Sequence, residues 1–364
     1  MALRVGILTS GGDCQGLNPA MRGVAKALYE ADASNEIIGF LNGYEGLMTG
    51  RSKKMRETDF SGILTRGGTI LGTSRQPFKL MKEPLDANHP EGPSKLEAMI
   101  DTYRTQSLDA LVILGGNGTH KTAHLLSENG LNVVTLPKTI DNDLWGTERT
   151  FGFQSAVDIA TQVIDGIHST ATSHGRVFII EIMGHKAGWM TLEAGIAGGA
   201  DVILIPEIPY DPLYILKALN RRESKHKRFS IIAIAEGAKT IAEAALGKSE
   251  LESKRKASCH PSVAYELAET LDSMMVQEVR CTVPGHFQRG GEPCAFDRVL
   301  TTRLGVAAAN AVMNGHFGCM MAIRHDKVEP MPLADIAGRL KYVPLDHELI
   351  QVARQTGISF GDAD

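Results

Sequence analysis

The sequence predicts an α/β protein built from two doubly wound, Rossmann-like three-layer domains, and three observations carry that reading. Short apolar runs alternate with helical patterns without a break through the amino-terminal half, as a parallel sheet with crossover helices requires. Several runs end in glycine-rich or carboxylate-bearing loops, at the strand ends where such sheets bind ligands. With 364 residues, 43% hydrophobic and 22% charged, the chain can bury a sizeable core and suits two domains.

Composition narrows the class further. Thirty-eight glycines without collagen-like or low-complexity periodicity fit an enzyme with many turning loops, and a net charge of −4 leaves no basic footprint for nucleic acid. The five cysteines show neither CxxC nor ligand-like spacing, and no signal-peptide pattern opens the chain, so reduced thiols and a cytoplasmic protein are expected. No apolar run approaches the roughly 20 residues needed to span a membrane.

Taken in order, Arg4 to Thr9 is an apolar strand that stops at Ser10-Gly11-Gly12-Asp13-Cys14-Gln15-Gly16, and a helix follows with Met21, Val24, Ala25 and Leu28 on one side. Glu36 to Phe40 reads as the next strand and runs into Asn42 to Leu47. A glycine-dense loop, Thr65 to Arg75, precedes a proline-bearing stretch, Phe78 to Pro93, read as a surface excursion. Lys95 to Arg104 resumes an amphipathic helix. Ala110 to Leu114 is then a strand ending in Gly115-Gly116-Asn117-Gly118-Thr119. A helix follows, and Val133 to Leu136 delivers Pro137-Lys138-Thr139-Ile140-Asp141-Asn142-Asp143. Phosphate must approach backbone N–H groups that a Cβ would block, and a helix amino end favours anions. Each glycine loop therefore reads either as a phosphate cradle or as a tight strand-to-helix turn, and a carboxylate loop at this spacing favours the cradle.

Beyond Asp143, a long helix is expected over Ala156 to Thr170, then strands over Val177 to Ile182, Val202 to Ile205, Phe229 to Ala235 and Glu278 to Val283. Met183 to Trp189 and Glu236 lie just past two of these strands, and Pro284 to Gly291 past another. Leu246 to Ser258 is charge-dense and expected as an exposed loop. A helix over Asp297 to Met313 and a strand over Cys319 to Ile323 follow, and the tail from Arg324 shows only a short helix around His347 to Arg354.

The pair of loops at Gly115 to Gly118 and Thr139 to Asp143 resembles the phosphofructokinase family, whose GGDG and TIDND loops stand in the same register. Asn42 to Leu47 resembles that family's NGxxGL turn, Met183 to Gly188 its MGRxxG turn, and Pro284 to Gly291 its LGxxQRGG motif. The resemblance runs from about residue 3 to about 325. It implies phosphoryl transfer to the 1-hydroxyl of fructose 6-phosphate, in glycolysis, by a homodimer or homotetramer with shared active sites and Mg2+ as cofactor. The site would lie in a cleft between a donor-binding domain, 1–152 with about 289–330, and a sugar-binding domain, 153–288 with about 331–364.

Residue by residue, the resemblance gives Asp141, Arg75 and Thr139 catalytic roles. Gly11, Arg75, Gln76, Gly116, Asn117, Gly118, Thr119 and Lys138 would hold the donor. Thr139, Asp141, Met183, Gly184, His185, Glu236, Arg280, His286 and Arg289 would hold the sugar phosphate, with Arg176 supplied by a neighbouring subunit. Arg280, His286 and Arg289 are expected together near one strand end, as two fixed cations and a histidine donor suited to a phosphomonoester. Asn117 and Asp143 are the positions nearest the metal.

Three departures matter. His185 stands where most members carry arginine, so its charge depends on pH. Asn117 replaces the aspartate that contacts magnesium, and an amide carries no charge to hold a hard cation; this admits a non-catalytic family member as an alternative. Gly118 leaves room for ATP, whereas Lys138 before TIDND is also found in pyrophosphate-dependent members. ATP is the expected donor, with pyrophosphate-dependent transfer as the alternative. The NAD and lipid kinases also use a GGDG-type loop but lack the other blocks.

Overall fold

A computed structural model describes residues 2–363. Among these, eleven strands form two sheets. They are β1 (Arg4–Thr9), β2 (Glu36–Phe40), β3 (Ser52–Met55), β4 (Ala110–Gly115), β5 (Val133–Pro137), β6 (Val177–Ile182), β7 (Val202–Leu204), β8 (Ser230–Ala235), β9 (Val279–Thr282), β10 (Cys319–Arg324) and β11 (Lys327–Pro332). The fold is α/β with two parallel-rich sheets.

The chain divides into two units, residues 1–155 with 289–341 and residues 156–288 with 342–364. In the first, strand order is β11-β10-β5-β4-β1-β2-β3. The strands from β10 to β2 run parallel, and only the edge strands β3 and β11 are antiparallel. β4 is buried along its whole length, as a parallel strand covered on both faces must be. Its register sets Gly115 opposite Pro137, so the loops after β4 and β5 start side by side.

Both antiparallel edges escape the sequence reading because they lack a buried apolar run. β3 carries exposed Lys53 and Lys54, and β11 carries Pro330 and Pro332, tolerated only at an edge. The β10–β11 turn uses His325 and Asp326 at φ 48° and 57°, a mirror-image hairpin turn made without the usual Asn-Gly. Because β11 pairs with β10, residues 331–341 fall in the first unit, and the chain passes to the second at Tyr342.

The second unit holds the all-parallel sheet β7-β8-β6-β9. Val177, Ile179, Ile232 and Ile234 pack there with Leu267 and Leu271 of the helix Val263–Asp272. The stretch expected as an exposed loop, Leu246 to Ser258, instead contains the helix Lys248–Ala257, none of whose residues is buried. Glu250 opens it and Lys254, Arg255 and Lys256 close it, in keeping with the helix dipole. Its basic end is anchored on buried Glu243, at 3.3 Å from Lys254 and 3.5 Å from Arg255. In the excursion after Phe78, Met81 is fully buried and pins an otherwise exposed stretch. Among the described residues, no helix is long and apolar enough to cross a membrane.

Candidate active site

The first glycine loop is braced from three sides within its own unit. Gly11 N donates to Ser74 O at 3.1 Å, and Thr73 Oγ1 donates to Gly11 O at 2.7 Å, which joins this loop to the one bearing Arg75 and Gln76. Arg75 is exposed and Gln76 half-buried. The Lys138 ammonium donates to Gly12 O. Arg289 Nη1 donates to Asp13 O at 2.9 Å, and a Cβ on Gly12 would lie 2.8 Å from that same nitrogen. Glycine at 12 is thus what lets the guanidinium lie on the loop.

The second glycine loop caps the helix Asn117–Glu128, with Gly116 at its amino end. Tyr44 Oη donates to Thr119 O at 2.8 Å, fixing the first turn. A Cβ on Gly118 would meet nothing within 4 Å, so this position is open. Asn117 is engaged at both ends of its amide: Oδ1 accepts from Gly338 N at 3.0 Å, and Nδ2 donates to Arg339 O at 3.3 Å.

The carboxylate loop is held by its own backbone. Asp141 N donates to Thr139 Oγ1 at 3.1 Å, Thr150 Oγ1 donates to Thr139 O at 2.7 Å, and Thr150 N donates to Asn142 Oδ1 at 3.0 Å. Asn142 sits at φ 49°, a left-handed conformation that asparagine tolerates. That kink separates two buried aspartates whose carboxylate oxygens come within 4.8 Å of each other. Burial, then the charge of Asp141, pushes the Asp143 carboxyl up to about 7. Burial likewise pushes the Lys138 ammonium below the usual lysine range and holds the buried His120 imidazole down at about 4, with Lys138 adding to the latter. Cys14, also buried here, is raised to about 12 and is no nucleophile.

These residues fit a divalent cation at the carboxylates. Two close, buried carboxylates, one of which raises the proton affinity of the other, suit a hard cation taking oxygen ligands. Asn117 fits less well, since its amide oxygen already accepts from Gly338 N.

In the second unit, Met183, Gly184 and His185 follow β6 and Glu236 follows β8. Glu236 Oε1 accepts from Gly184 N at 3.2 Å and His185 N at 2.7 Å, so one carboxylate gathers the turn. Met183 N donates to Gln288 Oε1 at 3.3 Å. His286 is exposed in the 3₁₀ turn Gly285–Arg289, beyond the carboxyl end of β9.

Arg176 and Arg280 lie elsewhere. Arg176 precedes β6, Glu278 precedes β9, and Glu278 pairs with both Arg176 and Arg280. Within this unit the two arginines form one cluster toward the amino ends of the strands, opposite the turn at Met183 to His185. Within this unit Arg280 therefore stands toward the opposite end of the sheet from His286, which lies beyond the carboxyl end of β9. β9 has only four residues, and Arg280 stands near its start, drawn to Glu278. Sequence reasoning also missed Lys341, whose ammonium donates to Asn142 Oδ1, Thr147 O and Glu148 O at 3.0, 2.9 and 2.8 Å. No motif surrounds it; the only signal was the unexplained amide at 117.

A family model described as Phosphofructokinase matches residues 4–312. The ATP-dependent 6-phosphofructokinase of Spirochaeta thermophila is 54% identical over 358 residues, covering 98% of this chain and 97% of that protein. The protein of the same name from Propionibacterium freudenreichii subsp. shermanii is 46% identical, with 100% of each chain covered. Among solved structures, phosphofructokinase from Saccharomyces cerevisiae matches with a TM-score of 0.77 at 31% identity; 92% of this chain is covered, but it spans only 45% of the yeast chain. Similarity of this extent makes the glycine and carboxylate loops parts of one inherited design: the chain belongs to the phosphofructokinase family.

Proposed function

We propose that this chain is an ATP-dependent 6-phosphofructokinase, which transfers the γ-phosphoryl group of ATP to the 1-hydroxyl of fructose 6-phosphate and yields fructose 1,6-bisphosphate. The observation that carries this reading is the buried Asp141–Asp143 pair on the loop directly beside the Gly115 to Thr119 phosphate loop. One pair of neighbouring strands thereby offers an anion cradle and a base. The near-full-length relatives named ATP-dependent support the donor. Asn117 gives no support to a non-catalytic reading, because its amide has structural work of its own.

In this mechanism Asp141 takes the proton of the 1-hydroxyl as that oxygen attacks, a role for a carboxylate within hydrogen-bond reach. Thr139 orients Asp141 through the bond from its backbone N–H. The fixed charge of Arg75 stabilises the transferring group, and Gly11, Gln76, Gly116 to Thr119 and Lys138 bind the donor phosphates. Asp141 and Asp143 would hold Mg2+, which neutralises charge on the donor. Met183 to His185, Glu236, His286 and Arg289 hold the sugar phosphate. Arg176 reaches a neighbouring subunit of a cytoplasmic homo-oligomer, and Arg280, paired to the same Glu278, goes with it.

Pyrophosphate is the second reading, favoured by one observation: Lys138 is a buried ammonium beside the glycine loop, suited to a terminal phosphate. Incubation with MgATP and fructose 6-phosphate tests the proposal. Equal yields of ADP and fructose 1,6-bisphosphate are expected, and no bisphosphate from MgATP would overturn it.

A further inference from the structure

The tail, uninformative as sequence, contributes a short segment to the first unit that touches both functional loops. Gly338 N and Arg339 O take the two ends of the Asn117 amide. Leu340 bridges Leu144 in antiparallel fashion, and Lys341 N donates to Asp143 O at 2.8 Å. The Lys341 ammonium then closes on Asn142 Oδ1, Thr147 O and Glu148 O. Arg339 also lies over the ring of Trp145, 4.3 Å from its centroid. Four consecutive residues thus run from the phosphate loop to the carboxylate loop with bonds at every step.

We infer that Gly338–Lys341 is a positioning strap that fixes the spacing between the phosphate loop and the carboxylate loop, with Asn117 as its anchor at one end and Lys341 at the other. This deepens the proposed function and rests on it. It gives the amide at 117 a physical reason. An aspartate would still accept from Gly338 N but would turn a second oxygen toward Arg339 O in place of a donor, so the residue cannot serve as both latch and charged cation ligand. Lys341 acts through the carboxylate loop. Its acceptors include the side chain of Asn142, the residue between the two aspartates, so it sets where the carboxylates stand when the hydroxyl attacks. Such placement governs the chemical step more than binding, and a shift of about 1 Å costs on the order of 10²-fold.

The test compares Lys341→Met, Lys341→Arg, Asn117→Ala and the double variant Asn117→Ala/Lys341→Met. Lys341→Met should lower kcat roughly 10- to 100-fold with KM for fructose 6-phosphate within about twofold, and Lys341→Arg should restore part of the loss. Because both residues act through one strap, the double variant should fall little below the worse single one. Independently of activity, Asn117→Ala should speed tryptic cleavage after Arg339, read by mass spectrometry as the fragment beginning at Leu340. Unchanged kcat, losses that multiply in the double variant, or a cleavage rate at Arg339 equal to wild type would each overturn the strap. If Lys341→Met does not fold, Asn117→Ala alone decides through cleavage and kcat. An inactive wild type would overturn the enzyme reading instead, and the cleavage comparison would still judge the strap.

Discussion

The carboxylate loop of the first unit and the arginine cluster of the second handle charge in opposite ways. Asp141, Asp143 and Lys138 are all buried, the two carboxylates sit close together, and burial moves Asp143 and Lys138 away from their ordinary ranges. Arg176, Glu278 and Arg280 are partly exposed, with side-chain exposures of 29%, 39% and 53%, and opposite charges are paired. Buried like charges store free energy that a proton, a cation or a substrate can release. Exposed pairs store little, since solvent screens them. The first arrangement suits chemistry. The second holds little in reserve, being two arginines already neutralised by one carboxylate.

The largest effect should come from the buried side. Asp141→Asn should lower kcat about 10²-fold or more while fructose 6-phosphate binding, read by calorimetry, persists. Near-normal turnover would remove Asp141 from the mechanism.

Stability against pH sharpens the same contrast. The Asp143 carboxyl is raised from 3.8 to about 7. A folded value above the unfolded one means that its stabilising contribution is complete below about pH 4 and is lost as pH rises through about 7. In the presence of a chelator, Asp143→Asn should therefore be more stable than wild type at pH 8, by ~2–4 kcal/mol in urea unfolding, with the difference closing by pH 4. A variant less stable at pH 8 would show that bonds made by the carboxylate outweigh its burial.

On the exposed side, a chain bearing Arg176→Ala mixed with one bearing Asp141→Asn should recover part of the wild-type activity if the arginine serves a neighbour's site, since hybrids then pair intact halves. Stable hybrids with no recovered activity would count against a shared site. Glu278→Ala, the mildest change, should cost under about 1 kcal/mol of stability.

The same contrast governs what the sequence made legible. The central strands β1, β4, β5, β6 and β8 could be read because a parallel strand buried on both faces is a plain apolar run. Edge strands β3 and β11 could not, for their exposed lysines and prolines carry no such run. The helix Lys248–Ala257 buries no residue and so shows no apolar stripe. At the site, Asp141, Lys138 and the glycine loops stand in motifs fixed by local spacing. Lys341 takes its place from a pairing with a loop nearly 200 positions upstream, and Arg280 shares the carboxylate of Glu278 with Arg176, which stands 102 positions from that carboxylate. Periodicity reports local geometry, and these partners are set by the fold.

The central claim is transfer from ATP to fructose 6-phosphate, and the ratio of kcat/KM for MgATP to that for Mg-pyrophosphate at saturating fructose 6-phosphate tests it most directly. Gly118 leaves open space beside the phosphate loop, so wild type should favour ATP, and Gly118→Asp, which fills that space with a charged side chain, should reduce the ratio. A wild-type ratio in favour of pyrophosphate would contradict the account, and an ATP preference that Gly118→Asp leaves unchanged would contradict its steric basis.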